Sequence, residues 1–188
     1  MTLSQIIPFN ENRFDACMVY LAQKHSRNLT QYEMVKLHVM ADVYHTITYG
    51  QPMIGGSLEA WTNGPVVKKA YNRVAVWGHR FDETGEQSPM FNLVEQLGNA
   101  NHFKPSVEAD PDDFSVSEVE ALEKAWDTVM SMEFRASQDY FHKPISFIGK
   151  AWHNAKLQSR AIDWNDIIDA YDTENGTDHT TLKTLIHF

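Results

Sequence analysis

Three side chains on one stretch carry the clearest chemistry in the sequence: His38, Asp42 and His45. Offsets of four and seven residues return to nearly the same side of an α-helix, so all three share one face. They could hold a divalent metal there, or the carboxylate could orient an imidazole as a general base. The competing reading is structural, an Asp–His hydrogen bond that fixes the helix against the glycine turn behind it. That reading is preferred, because three ligands on one helix without a partner elsewhere are a weak metal pattern. No H-E-x-x-H spacing accompanies them either.

The remaining reactive residues point the same way. His142 and His153 suit either a buried, hydrogen-bonded imidazole or a solvent-facing one, and catalysis by either needs an activated nucleophile. No serine stands in a G-x-S-x-G elbow, and Cys17 falls on the apolar face of its helix, where a small buried hydrophobe is expected. Gly50, Gly55, Gly56 and Gly64 match neither a dinucleotide fingerprint nor a P-loop and read as turn residues. Trp61 alternates away from Ala60 on a short strand, as a partner-binding anchor would, although a covering loop explains it equally well. No catalytic residue, metal ligand or cofactor site is assigned.

Periodicity and capping predict the elements that position these residues. Phe14, Cys17, Met18, Leu21 and Ala22 recur at helical spacing and predict a helix over residues 13–25. Thr30 and Glu33 have the spacing of a capping box, opening a helix to about Thr48 that Gly50 stops and Pro52 keeps from continuing. Residues 54–62 read as a glycine turn into a short strand. Asn63-Gly64-Pro65 then reads as a turn that puts Pro65 at a first helical position, with a helix behind it closed by Gly78.

Residues 79–113 are the least regular. Within them, 91–97 fits strand or helix, and 102–109 fits a strand interrupted by Pro105. Ser117 and Glu120 suggest a second capping box, and Val119, Leu122, Trp126, Val129 and Met130 a buried stripe behind it. Short helices follow at 137–142, 145–155 and 164–171, the last with Asp163 as N-cap. The sum is an α+β fold, a mainly α-helical single domain with a small two- or three-stranded β-sheet. It is expected to span residues 1–172, with a polar tail over 173–188 that frays or docks through Leu182, Leu185 and Ile186.

Composition narrows the function classes. The chain has 188 residues, 43% hydrophobic and 22% charged, the usage of one ordinary folded domain and not of a disordered chain. Lys and Arg number 16 against 25 Asp and Glu, a formal charge of −9, which disfavours direct nucleic-acid binding. One cysteine excludes an internal disulfide and a thiolate zinc site, and fits a reducing cytoplasm. No apolar stretch is long enough to span a membrane, and the first ten residues show no signal pattern, so a cytoplasmic protein is expected.

One segment is more specific than these patterns. Val35-Lys36-Leu37-His38-Val39-Met40-Ala41-Asp42 runs through His45 to Tyr49-Gly50-Gln51-Pro52, Gly55 and Ala60, ending at Asn63-Gly64-Pro65-Val66. It resembles the Panacea domain, the SocA-like antitoxin and phage-associated family. There a K-L-x-x-x-A-D-x-x-H helix precedes Y-G-x-P-x-x-G, an alanine and G-P-V. Weaker likeness continues at Ser117-Glu118-Val119-Glu120 and at Phe141-His142 with Trp152. His38 stands where the family commonly has an apolar residue, leaving Asp42 and His45 as the matched pair.

The resemblance implies an antitoxin rather than an enzyme: a helical scaffold with a small sheet that neutralises a cognate protein toxin by direct contact. The acidic balance suits a basic nucleotide- or RNA-handling toxin. The expected structural motif is Asp42, His45, Gly50, Pro52, Gly55, Gly64 and Pro65. The partner contacts expected are Trp61, Asn63 and Phe91, with the irregular 79–113 segment and the tail as further contact candidates. The alternatives are a protease adaptor or phage-encoded interaction protein on the same scaffold, and a hydrolase using Asp42 with His45, alone or together with His142.

Overall fold

The computed structural model describes residues 7–84, 88–97, 100–158 and 160–185. Helix α1 (Glu11–Lys24) and the two-residue strand β1 (Leu29–Thr30) lead into α2 (Gln31–Tyr49), the hub of the fold. Every residue of α2 from Met34 to Ile47 is buried, as expected of a helix with apolar groups on all sides. Its ends are set locally. Thr30 Oγ1 accepts the Glu33 amide at 3.2 Å, and Glu33 takes the Thr30 amide at 2.8 Å. At the other end Gly50, with φ +87°, donates to Thr46 O.

A hairpin follows, β2 (Leu58–Trp61) and β3 (Gly64–Val67), paired antiparallel with Trp61 opposite Gly64. Pro65 therefore lies in a strand opposite Ala60 and not at the first position of a helix. A proline has no amide to give a ladder and is tolerated in such a two-stranded edge. Helix α3 (Lys68–Thr84) starts three residues later and runs through Gly78. Gly78 does not end the helix. A Cβ there would meet the Asn101 side chain at 2.7 Å, so glycine serves the close approach of a strand.

That strand belongs to the segment read as irregular. β4 (Phe91–Leu97) and β5 (Ala100–Pro105) pair antiparallel, and β1 adds to β5, giving the order β1-β5-β4. A short 3-10 turn (Pro111–Asp113) precedes α4 (Val116–Met130), which packs along α2. Its capping box is Ser115 with Glu118, two residues earlier than the Ser117–Glu120 pair expected. Helices α5 (Phe134–His142), α6 (Phe147–Leu157) and α7 (Trp164–Asn175) cover the remaining side, with Asp163 capping α7 through the Asn165 amide.

Within the described residues the polar tail forms regular structure. The expected break at 172/173 falls inside α7, whose end is marked by Gly176 at φ +66°. Asp172 then accepts the His179 amide at 2.8 Å and opens the way to α8 (Thr180–Leu185). Leu182 packs on the core beside Gly50. The Leu185 side chain and Ile186 lie outside the described residues. The architecture is mainly α-helical α+β, with eight α-helices among the described residues and sheets of three and two antiparallel strands. Among the described residues no helix is long and apolar enough to cross a membrane.

Candidate functional site

Helix α2 carries two buried polar positions of opposite character. The first is Asp42, 3% exposed. Its Oδ1 accepts the backbone amides of Met53 (3.0 Å) and Ile54 (2.8 Å), and its Oδ2 that of Gly55 (2.8 Å). His38 Nε2 donates to the same Oδ2 at 3.1 Å and also approaches Gly55 O at 3.2 Å. Four donors fill the acceptor positions of one carboxylate, so no lone pair is left for a substrate proton or a metal. Among the described residues no cluster of histidine, cysteine and carboxylate side chains could hold a metal ion.

His45 does not join Asp42. One turn further along, its Nδ1 donates to Gln51 O at 2.6 Å and secures the start of the same turn, beside the buried Pro52. The turn is held from outside as well: Asn10 N donates to Ile54 O and Gly56 N to Ile7 O. Gly55 is required here, with φ +83° and a hypothetical Cβ 2.8 Å from both Pro8 O and the Ile7 side chain. Asp42, His45, Gly50, Pro52 and Gly55 are thus brought together as one knot between α2 and β2. His38 belongs to it through its bond to Asp42, whereas Gly64 and Pro65 lie elsewhere.

They lie at the second position, Lys36, 1% exposed. Its Nζ donates to Pro65 O at 2.8 Å and sits 5.3 Å from the Tyr32 ring centre and 5.0 Å from that of Phe141. Burial pulls its pKa down from 10.5 to about 7, because a low-dielectric site disfavours the ammonium. Gly64, at φ +94°, presses its backbone against this amine. A Cβ there would stand 2.8 Å from Nζ and 3.6 Å from His142 Nε2. His142 Nε2 is buried with no hydrogen-bond partner among the described residues, while its Nδ1 pairs with Gln138 O at 2.5 Å.

Lys36 also lines a groove of about 1270 Å³ between α2, the β2–β3 hairpin, α3 and the start of α5. Tyr32, Trp61, Asn63, Tyr71 and Phe134 line it too. Trp61 is half-buried, edge-on to Tyr71 at 5.2 Å, with its carbonyl taking Trp152 Nε1 at 2.9 Å. Asn63 is exposed at the hairpin turn. Phe91 is not at this surface. It is fully buried and stacked on Trp77 at 5.1 Å, so it serves the core and offers no contact. His153 is half-buried on α6 and does not line the groove. Cys17 is buried, and burial pushes its thiol pKa up, leaving a poor nucleophile.

Lys36 is the lysine of the family motif but carries no role in the sequence reading, and the aromatic rim of Tyr32, Tyr71 and Phe134 is absent from it. A signal for Lys36 was available. It stands between Val35 and Leu37 in a run from Met34 to Ile47 that is mostly apolar on every side of the helix, and a helix of that kind is expected to be buried with what it carries. The rim had no such signal, because it is assembled from three separate elements.

The family model for the antitoxin SocA-like, Panacea domain matches residues 34–146. That span runs from the start of buried α2 through the hairpin, the three-stranded sheet and α4 to α5, well over half of the chain. The protein belongs to the SocA-like Panacea domain family. No curated protein and no solved structure matches it.

Proposed function

We propose that this protein is the antitoxin of a toxin–antitoxin pair, neutralising its cognate toxin by direct protein contact. Membership of the Panacea family is the observation that carries the reading. The groove beside Trp61 and Asn63 supports it. At about 1270 Å³ it exceeds the ~300–1,000 Å³ of small-molecule pockets and has the capacity for a polypeptide segment. Its rim of Trp61, Tyr71 and Phe134 has the residue types that dominate protein interfaces. The acidic balance of the chain, formal net charge −9, would speed encounter with a basic nucleotide- or RNA-handling toxin. A cytoplasmic site of action accords with such a client.

No step in this reading needs a catalyst. The hydrolase alternative depends on Asp42, whose acceptor positions are filled by Met53, Ile54, Gly55 and His38. The test is co-expression with the adjacent reading frame. Growth arrest by the neighbour alone, rescue by this protein, and co-purification of the two are the expected outcomes. Toxin levels that fall upon rescue would select the protease-adaptor variant over sequestration. Failure of both rescue and co-purification would sink the reading.

A further inference from the structure

We propose that the Lys36 ammonium is the receptor for one carboxylate side chain, an aspartate or glutamate, on a segment of the partner protein seated in the groove. This rests on the groove being the antitoxin's contact surface. Among the described residues Nζ has one hydrogen-bond acceptor, Pro65 O, and no carboxylate at ion-pair distance. An ammonium has three donors. Two ring faces, Tyr32 and Phe141, take part of the charge but do not replace an anion. A buried cation in this condition disfavours the free protein, and a partner carboxylate in the groove would supply the missing charge.

The surroundings favour an anion at the same place. Helix α5 starts at the groove, where both Glu133 and Phe134 line it, and no side chain caps its N-terminus. The positive end of the helix dipole is therefore open. Tyr32 links the two features, since its hydroxyl pairs with Ser137 Oγ in the first turns of α5 at 3.1 Å, and Lys36 Nζ lies over its ring.

The occupant is a monoanion of a protein and not a phosphate chain. The arginine lining the groove is already paired, Arg27 with Glu33 at 2.8 Å. A single ammonium, already giving one donor to Pro65 O, matches one carboxylate, while phosphates are gripped by several donors or an arginine fork. The overall charge of −9 repels polyanions. The lowered pKa, about 7, adds a linkage: bound carboxylate restores the proton, so the partner binds more tightly as pH falls through 7. The titratable groups facing Nζ are Tyr32 on α2 and His142 on α5, and β3 contributes only backbone. Burial holds Tyr32 above its ordinary range, hence neutral.

The test uses the full chain with Lys36→Met, which keeps the stem and removes the charge. Affinity for the product of the neighbouring reading frame should fall at least about 30-fold, while the melting temperature holds or rises. One Asp→Asn or Glu→Gln change on the partner should reproduce that loss and add nothing in the Lys36→Met background. Undiminished binding by Lys36→Met, or a loss that no partner carboxylate reproduces, overturns the proposal and leaves the antitoxin reading standing.

A neighbour that does not bind the wild type fails the antitoxin reading instead. The proposal is then decided by sodium acetate as the probe, read from the Lys36 Cε resonance of lysine-labelled protein. An upward move of its titration midpoint in acetate, relative to chloride at equal ionic strength, supports a carboxylate site. No move, or a larger one in inorganic phosphate, overturns it.

Discussion

Asp42 and Lys36 sit on one helix, six residues apart, both buried and both ionisable, yet the fold treats them in opposite ways. Around Asp42 the chain supplies three backbone amides and an imidazole, so every acceptor position is used. Around Lys36 it supplies one carbonyl and two ring faces. A buried charge that is fully partnered is a structural tie. One that is left short weakens the free molecule and points to a ligand that completes it. Substitutions at the two positions should therefore move stability in opposite directions.

The largest loss is expected for Asp42→Ala. Three buried amides would lose their acceptor at once, and each buried donor left unsatisfied costs about 1–3 kcal/mol. Destabilisation of about 4 kcal/mol or more in urea denaturation is the expected result, and a cost under about 1 kcal/mol would show that the carboxylate is not the tie. Gly55→Ala should come next, at about 2 kcal/mol. Its φ of +83° and the 2.8 Å approach of Pro8 O leave a methyl group neither a relaxed backbone nor space. A loss of that size with Asp42 intact would show that the turn, and not only its acceptor, is needed.

Lys36→Met should reverse the sign, with higher stability at pH 7, and its pH dependence is the sharper measurement. The folded-state pKa lies near 7 and the unfolded value is 10.5. Between those limits the unfolded chain holds the proton that the folded chain releases, so the wild type gains stability as pH rises from about 7 toward 10.5. Below 7 the penalty for burying the ammonium is present in full. The stability advantage of Lys36→Met over wild type should be greatest below pH 7 and shrink across that window. A difference that is flat in pH would mean that Lys36 keeps an ordinary pKa and that the contrast with Asp42 is false.

Local rules made the skeleton legible in the sequence. The Thr30–Glu33 box, the Gly50 stop and the apolar period of α1 and α2 each depend on residues a few positions apart, and each is found in place. Pro65 misled because a proline after a glycine suits a helix start and an edge strand alike, and the pairing with Ala60 decides between them. Gly78 misled because its reason is Asn101, 23 positions away. Of the knot, the residue types are legible in the sequence, but which imidazole pairs with Asp42 is not, since His38 and His45 share its helix face and the turn geometry gives that bond to His38. The groove was least legible, since Lys36, Trp61, Tyr71 and Phe134 come from four elements. Phe91 shows the converse, an aromatic in a stretch of uncertain type that turned out to be core.

The smallest effect on stability, and the cleanest separation of groove from scaffold, is expected for Phe134→Ala. Phe134 is 61% exposed and touches Tyr32 edge-on at 5.0 Å. It buries little, so thermal or urea unfolding should change by no more than about 0.5 kcal/mol. If the groove is the contact surface, the same change should weaken partner binding by about tenfold or more, the loss of an aromatic anchor. The ratio of the two effects is the informative quantity. Asp42→Ala should lower stability and binding together, because the whole scaffold loosens. Phe134→Ala should lower binding alone. A Phe134→Ala protein that binds like wild type would move the contact surface off this groove and take the role assigned to Lys36 with it.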